Sequence, residues 1–452
     1  MNFLRPIFRH AILPAFESGW KRRRTFRYWD ELERSQWLSS EELRRLQHLR
    51  LQALLTCAHE HSEYYRQEWT KLGLHPRTLA SLDDLGRWPL IDRETVRKHR
   101  SAMRTGRRVI SKSTGGSTGE PLHFDLDLDS HDRRTAAWHR GYSWAGAGPG
   151  TKQLYLWGTR LDGTRASRLK DRLYHALHRR HVMSCFDMPR DFAIRFAAEL
   201  ERRKPDAIVA YVNPLYAVAR DLDSSGRSLR HRPRSIVVGA EKLHPFQREC
   251  IERVFGAPVF ETYGSREFML IGAECDRHSG LHLSAEHLIV EIVDDRGRPA
   301  SPGHEGEIVV TDLTNLGMPF IRYRTGDRAI AGFDTCPCGR TLPLLRTVVG
   351  RQLDIIRTPD GRALPGEFFP HLMKDFAEVR RFQVVQESPT SLHIRLVAPN
   401  LTPEARQKLE QRIRDATGPT LIVRFEPVND IPLTGAGKLR LVVNTAGTRE
   451  AA

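Results

Sequence analysis

Between about residues 150 and 260, short apolar runs alternate with stretches of helical spacing. The runs are QLYLWG, AIVAYV, SIVVGA and PVFETYG, with helical patterns near 190–203, 214–222 and 244–255. Parallel strands cannot be joined by a tight turn, so this alternation predicts parallel strands linked by crossover helices. The chain therefore needs an α/β core. Its 452 residues exceed what one core usually serves, which predicts two or more domains. Residues 281–330 change period: LHLSAEHLIVEIVDD, GRPASPGHEG and EIVVTDL read as antiparallel hairpin strands with Pro/Gly turns. Strands at RRFQVVQES, SLHIRLVA and LIVRFEP, with a helix over 403–415, predict a small α+β domain. Near the start, Ser39 and Glu42 form a capping-box pattern. Leu43, Leu46, Leu54 and Leu55 follow at helical spacing, predicting one helix over 39–72 ended by Gly73.

The charge is strongly basic, with 71 Lys+Arg against 55 Asp+Glu, a formal +16. More than half of the excess lies in residues 1–110, which hold 22 basic and 13 acidic residues, whereas residues 201–349 are neutral. The densest point is Lys21-Arg22-Arg23-Arg24. An Arg-rich surface with no partner and a surface for an anionic partner both account for it. No zinc-finger spacing or helix-turn-helix signal accompanies the charge, so no nucleic-acid partner is expected. A peripheral contact with an anionic membrane remains as the expectation for the N-terminus, and deleting residues 1–30 is expected to spare catalysis. No run approaches the roughly 18–20 apolar residues of a membrane span. Arg5, Arg9 and two prolines break the apolar start, which speaks against a secretory signal. Six unevenly spaced cysteines do not make a disulfide scaffold, so a cytoplasmic location is expected.

The sharpest motif is Ser113-Thr114-Gly115-Gly116-Ser117-Thr118-Gly119-Glu120-Pro121. Glycines let backbone N–H groups approach an anion, and the hydroxyls add donors, a combination that suits a polyphosphate. Glu120 stands where a Walker A lysine would follow the last glycine, so it is not that loop. A flexible surface turn is the plain alternative.

Further motifs follow in order: Gly239-Ala240-Glu241, Tyr263-Gly264-Ser265-Arg266-Glu267, Tyr323-Arg324-Thr325-Gly326-Asp327, Gly350-Arg351-Gln352-Leu353-Asp354 and Gly435-Ala436-Gly437-Lys438. With the Gly-rich loop they resemble the adenylate-forming superfamily over about residues 40–445. Within it the chain is most similar to the phenylacetate–CoA ligase family, in the branch of coenzyme F390 synthetase-like and CapK-like proteins. Arg266 stands where many relatives have Thr, and Leu353 where many have Asp or Lys.

The resemblance implies a large N-terminal adenylation domain over 1–349 with mixed sheets flanked by helices. A hinge at 350–354, including Leu353 and Asp354, would lead to a small mobile α+β domain over 355–452. It implies that Ser113–Gly119 cradle the ATP phosphates. Gly239, Ala240, Glu241, Tyr263, Gly264 and Ser265 would frame the adenine. Asp327 would accept from the ribose hydroxyls, with Arg351 near ribose and phosphate. Glu267 would ligate Mg²⁺, as suits a carboxylate and a hard cation. Lys438 would bridge substrate carboxylate and α-phosphate during adenylation. Tyr211, Asn213 and Pro214 line the acyl pocket in this reading, though plain strand-end packing accounts for them equally.

Cys336-Pro-Cys338, with Cys275 and His282 in the preceding hairpin region, offers four ligands for a closed tetrahedral Zn²⁺ site, and the family branch has a similar set. His278 is a rival ligand, and three reduced, buried cysteines are the plain alternative. Cys57, Cys185 and Cys250 are expected to be packing residues.

The expected activity is ATP-dependent ligation of a small carboxylic acid to coenzyme A through an acyl-adenylate. An adenylating enzyme with an amine, hydroxyl or carrier-protein acceptor is one alternative. A non-catalytic nucleotide-binding partner of a polysaccharide-assembly complex is the other.

Overall fold

The computed structural model describes residues 4–114, 122–158, 165–185, 188, 191–351, 356–359, 363–364, 368–373, 375–376, 378–418, 420–432 and 440–446. By its internal contacts the chain divides into Met1–Val349 and Gly350–Ala452.

The first quarter is helical. It comprises α1 (Leu4–Ile7), π-helical turns at Phe8–Ile12 and Ala15–Trp20, α2 (Thr25–Ser35), α3 (Ser40–His61), α4 (Glu63–Lys71) and α5 (Arg93–Met103). The Ser39/Glu42 capping box is present. The single helix expected over 39–72 is instead two. Ser62 accepts from the Tyr65 N–H at 3.4 Å and donates to the Ala102 carbonyl at 2.8 Å, so it caps a new helix rather than continuing the old one.

Next comes an antiparallel hairpin, β1 (Val109–Ser113) and β2 (His123–Asp127), then α6 (Leu128–Trp144). Phe26, Tyr28, Trp29 and Leu32 are buried with Leu13 against Ala136 and Ala137 of α6. The Arg24 N–H donates to Asp132 at 2.8 Å. The basic segment is thus packed into the fold, so deleting residues 1–30 removes part of a buried cluster as well as surface charge. Removing them takes Phe26, Tyr28 and Trp29 out of a packed interior, at ~3–5 kcal/mol for each aromatic.

The main sheet has nine strands. Strands β3 (Gln153–Trp157), β4 (Arg180–Ser184), β5 (Ala207–Tyr211), β6 (Ser235–Gly239) and β7 (Val259–Tyr263) are parallel, in the order β4-β3-β5-β6-β7. Helices α7 (Arg165–Leu177), α8 (Phe192–Arg203), α9 (Val212–Ser224) and α10 (Pro245–Phe255) connect them. Leu154, Ile208, Ile236 and Val259 face one shared core with Phe196, Leu215 and Phe255. Beyond β7 the sheet turns antiparallel through β8 (Gly272–Glu274) and β9 (Leu281–Leu283). A second sheet contains β10 (Leu288–Val293), β11 (Glu305–Asp312) and β12 (Tyr323–Ile330). The strands β13 (Phe333–Asp334) and β14 (Leu344–Leu345) then return to pair beside β9, and β15 (Val348–Arg351) joins the second sheet.

The C-terminal unit contains β16 (Ile356–Arg357), β17 (Ala363–Leu364), α11 (Phe368–Met373), β18 (Arg381–Ser388), β19 (Ser391–Val397), α12 (Pro403–Thr417), β20 (Ile422–Pro427) and β21 (Val442–Asn444). Its four-stranded sheet has the order β20-β19-β18-β21. Alternate residues Val384, Leu392, Ile394 and Leu396 pack with Leu409 and Ile413 of α12.

Candidate active site

Strand register assembles the site. Tyr211 pairs with Gly239, and Val238 with Glu261, so β5, β6 and β7 end in a row. Open α/β sheets bind ligands at the carboxyl ends of their strands. Tyr211, Gly239 and Tyr263 all stand there.

Close packing explains the glycines. A Cβ on Gly239 would lie 2.5 Å from Thr262 Oγ1, which donates to the Val238 carbonyl at 2.8 Å. A Cβ on Gly264 would lie 1.8 Å from the Met269 carbonyl oxygen, so no side chain fits. Ala240 adopts φ +68°, which turns the chain away from β6. That turn lets the Glu241 carboxylate accept from the Asn213 N–H at 2.8 Å, while Asn213 Oδ1 accepts from Gln247 at 2.9 Å. Asn213, expected in the acyl pocket, and Glu241, expected beside adenine, are therefore hydrogen-bonded neighbours. Pro214 lies on α9 one residue further on, and the Tyr211 ring packs against Trp157 with centroids 4.3 Å apart and planes tilted by 58°.

Tyr263 Oη donates to Asp327 Oδ2 at 2.9 Å, tying β7 to β12 of the second sheet. Ser265 Oγ accepts from the Phe268 N–H at 3.3 Å. Glu267 is 9% exposed, and among the described residues its carboxylate receives one long contact, from Tyr323 Oη at 3.5 Å. A buried carboxylate so weakly engaged fits a hard cation.

Strands β1 and β2, which flank the Gly-rich loop in sequence, form a hairpin with Ser113 paired to His123. Its neck is closed by Thr114 N–H to the Leu122 carbonyl and Leu122 N–H to Thr114 Oγ1, both at 2.9 Å. The Ser113 carbonyl accepts from Arg266 Nε at 3.4 Å, joining the loop to the Tyr263–Glu267 motif. Gly115, Gly116, Ser117, Thr118 and Gly119 lie outside the described residues, as do Leu353, Asp354 and Lys438. Arg351 is described for its backbone alone, at the end of β15.

Sequence reasoning missed the scaffold under these groups. Arg134 of α6 is buried, donates to the Glu267 carbonyl and pairs with Asp312 at 2.5 Å. Asp312 in turn accepts from the N–H groups of Thr314 and Asn315 at 3.0 and 3.2 Å. Asn315 donates to the Asp125 carbonyl at 2.9 Å. This network holds Glu267 against the base of the hairpin. The polar trio Asp312, Thr314 and Asn315 inside an apolar stretch was its sequence signal.

Glu261, two residues before Tyr263, is forced toward its neutral form. Burial first, and then the neighbouring Glu274 carboxylate, push its acid up to about 7. A raised folded value means stability that is full at low pH and lost as pH rises through about 7. Between about pH 5 and 8 this carboxyl's contribution falls, so Glu261→Gln should shift the slope of melting temperature against pH upward relative to wild type. Thermal unfolding across this range measures it, and an unchanged slope in the variant would refute the assignment.

A second cluster lies where the sheet is antiparallel. Cys275 follows β8, His282 is on β9, and Cys336 and Cys338 lie in the β13–β14 turn. Their ligand atoms fall within 4.8 Å of one another. The Cys275–Cys336 sulfurs are 3.7 Å apart, and His282 Nε2 lies 3.3 Å from Cys275 Sγ and 3.4 Å from Cys338 Sγ. Metal–sulfur bonds of about 2.3 Å give tetrahedral edges of ~3.7 Å, so this donor set fits zinc. Arg277 and Arg340 N–H groups point at Cys275 and Cys338 sulfurs at 3.5 and 3.4 Å, as suits thiolates. Burial pushes the Cys275 thiol up to about 12 and His282 down to about 4. A dication would supply the charge that lets buried thiols ionise. The rival His278 faces Glu274 at 3.3 Å and is not one of the four.

Comparison with known proteins agrees with this architecture. Residues 356–445 match the CapK C-terminal domain family. A phenylacetate-coenzyme A ligase of Thermus thermophilus is 25% identical, over 92% of this chain and 99% of its own. Protein CapK of Staphylococcus aureus is 22% identical over 94% of both chains. The crystal structure of 2-hydroxyisobutyryl-CoA ligase in the postadenylation state, in complex with R3-HIB-AMP, superposes with a TM-score of 0.73. It covers 93% of both chains at 20% identity. The chain has the fold of the adenylate-forming ligases, as the motif order implied. Its resemblance to the phenylacetate–CoA ligase and CapK-like branch stands on both full-length relatives and the C-terminal match. Among the described residues, no helix is long and apolar enough to cross a membrane.

Proposed function

We propose that this chain is an ATP- and Mg²⁺-dependent carboxylate–CoA ligase. The observation that carries the reading is the row of Asn213–Glu241, Gly239, Gly264 and Tyr263–Asp327 contacts at the strand ends, beside the Gly-rich hairpin. Thr262 and Met269 fill the space beside Gly239 and Gly264, and the Tyr263 ring at the same strand ends offers a flat face for a base. The full-length likeness to a phenylacetate-coenzyme A ligase supports the reaction class.

In this reading a substrate carboxylate oxygen attacks the α-phosphorus of ATP and pyrophosphate leaves. The thiol of coenzyme A then attacks the acyl carbon, and AMP leaves with the bonding pair. The Gly-rich loop, including Ser113 and Thr114, holds the phosphates. Asp327 orients the ribose, and Tyr263 fixes Asp327 for that task. Glu267 would hold Mg²⁺, which supplies charge neutralisation between phosphates. Arg351 and Lys438 balance charge at the α-phosphate, and residues 350–354 serve as the pivot between the two half-reactions. Tyr211, Asn213 and Pro214 border the acid. The Cys275, His282, Cys336 and Cys338 site holds structural zinc, because four protein ligands leave no open position. Thiolate ligands of this kind favour a reducing cytoplasm.

The match to the CapK C-terminal domain keeps a second reading alive, in which an amine, hydroxyl or carrier protein takes the acyl group. A non-catalytic role fits poorly with the intact Glu267 and Tyr263–Asp327 arrangement. ATP–pyrophosphate exchange over aryl, fatty and hydroxy acids, with and without coenzyme A, decides among them. Exchange with an acid plus CoA-accelerated turnover supports ligation to CoA. Exchange that CoA leaves unchanged supports another acceptor, and no exchange with any acid removes both.

A further inference from the structure

The basic N-terminal segment and α7 together make a surface whose chemistry the ligase reading leaves unused. Trp20 closes the second π-helical turn and is 84% exposed. Leu169 and Leu173, one helical turn apart on α7, are 59% and 63% exposed. Isolated exposed apolar residues are ordinary, but three large ones on adjoining elements are not. The elements adjoin through Lys21, whose Nζ sits 4.3 Å from the Tyr174 ring centre and 4.6 Å from that of Phe16. Phe16 and Tyr174 are themselves 6.4 Å apart.

Cations surround these apolar groups. Lys21, Arg22, Arg23, Lys170 and Arg172 face few acids. Glu17 is buried and already shared by Lys21 at 3.7 Å, Arg23 at 3.2 Å and His178 at 3.5 Å. Asp171 is the acidic residue within the exposed stretch of α7. Arg22 adopts φ +53° and is exposed, and among the described residues neither it, Lys170 nor Arg172 shows an ion pair. Beneath this surface Leu13, Phe26 and Trp29 are buried, so the segment is packed on the fold rather than a detached tail.

We infer that this face of the protein docks on an anionic lipid surface, with Trp20, Leu169 and Leu173 entering the headgroup layer and the surrounding cations meeting lipid phosphates. Indole rings favour the membrane–water boundary because one edge is apolar and the N–H end is wet. Aliphatic side chains gain from entry to the acyl boundary, and Lys and Arg gain from the negative surface potential. A nucleic acid would use the cations but give the two leucines nothing to bury in. Binding would be peripheral and salt-sensitive, and does not depend on the ligase assignment.

Vesicle flotation of the full chain tests it. Vesicles of one part phosphatidylglycerol to three parts phosphatidylcholine should carry the protein at low salt, and pure phosphatidylcholine should not. The apolar variant Trp20→Ala/Leu169→Ser/Leu173→Ser should lower uptake at least ~10-fold. The charge variant Lys170→Glu/Arg172→Glu should do so as well, and more strongly at low salt. All five side chains are at the surface, so unfolding temperatures should stay near wild type and either variant alone keeps the test valid. No uptake by the anionic vesicles would overturn the inference, and so would uptake unchanged in both variants. A wild-type dimer that the apolar variant splits, with no vesicle uptake, would assign the face to a second copy instead. Retention on RNA without vesicle uptake would likewise overturn it.

Discussion

Replacing Lys438 by Ala should lower acid-dependent ATP–pyrophosphate exchange by ~10²–10³-fold while leaving the unfolding temperature unchanged. The size follows from what a single preorganised charge contributes at an atom where negative charge develops. As the carboxylate oxygen approaches the α-phosphorus, two anionic groups share one space and pyrophosphate takes up charge on leaving. An ammonium between them is worth more at that moment than in the ground state, so the loss should fall on kcat rather than on KM for ATP. Lys438→Arg should not restore the rate, because a planar fork cannot replace a compact point charge between two oxygens. Transfer from a chemically supplied acyl-adenylate to CoA should survive in the variant, since that step needs no charge at the departing pyrophosphate. Exchange retained at the wild-type rate would remove Lys438 from the mechanism.

The second large effect concerns the Cys/His cluster. Purified protein should carry about one zinc per chain, and Cys336→Ser/Cys338→Ser should carry none. Stability and melting temperature should fall with the metal, because binding free energy at a structural site is folding free energy. The reason is local. Cys275 follows β8, His282 is on β9, and Cys336 and Cys338 lie in the β13–β14 turn, where Leu342 is the other buried residue among the described ones. A strong chelator should reproduce the loss in wild type and have no effect on the variant. Zinc-free wild-type protein with an unchanged melting temperature would show that reduced thiols alone hold the turn.

The parallel strands were legible because their apolar runs are short, continuous and bounded by turn residues. Strand β4 was not, since Arg180-His181-Val182-Met183-Ser184 is a half-buried edge with no alternation to read. The break at Ser62 was hidden because His59-Glu60-His61-Ser62-Glu63 also suits a helix's solvated face, and the Ser62 bonds to Tyr65 and Ala102 show why the helix stops. Charge misled most at the N-terminus. Lys21–Arg24 dominated the reading, while the buried ring set of Phe26, Tyr28 and Trp29 next to it determines where the segment goes. At the site, motif order placed Tyr263 and Asp327 together from 64 positions apart. It could not find Arg134, because an arginine beside Arg133 in the polar first half of α6 looks like a solvated face until the fold buries it.

The strand order has a consequence for synthesis. β9 acquires its outer neighbour β14 only after roughly sixty more residues have been made, and Cys336 and Cys338 arrive on that same late return. While the ribosome is still extending the chain, one border of the seven strands already made is an open row of backbone donors and acceptors. Such a border invites pairing with another nascent chain. Capture of a metal by the four ligands would clamp the returning strand and shut that border, so a cell short of zinc should lose this protein to aggregates before it loses turnover in the molecules already folded.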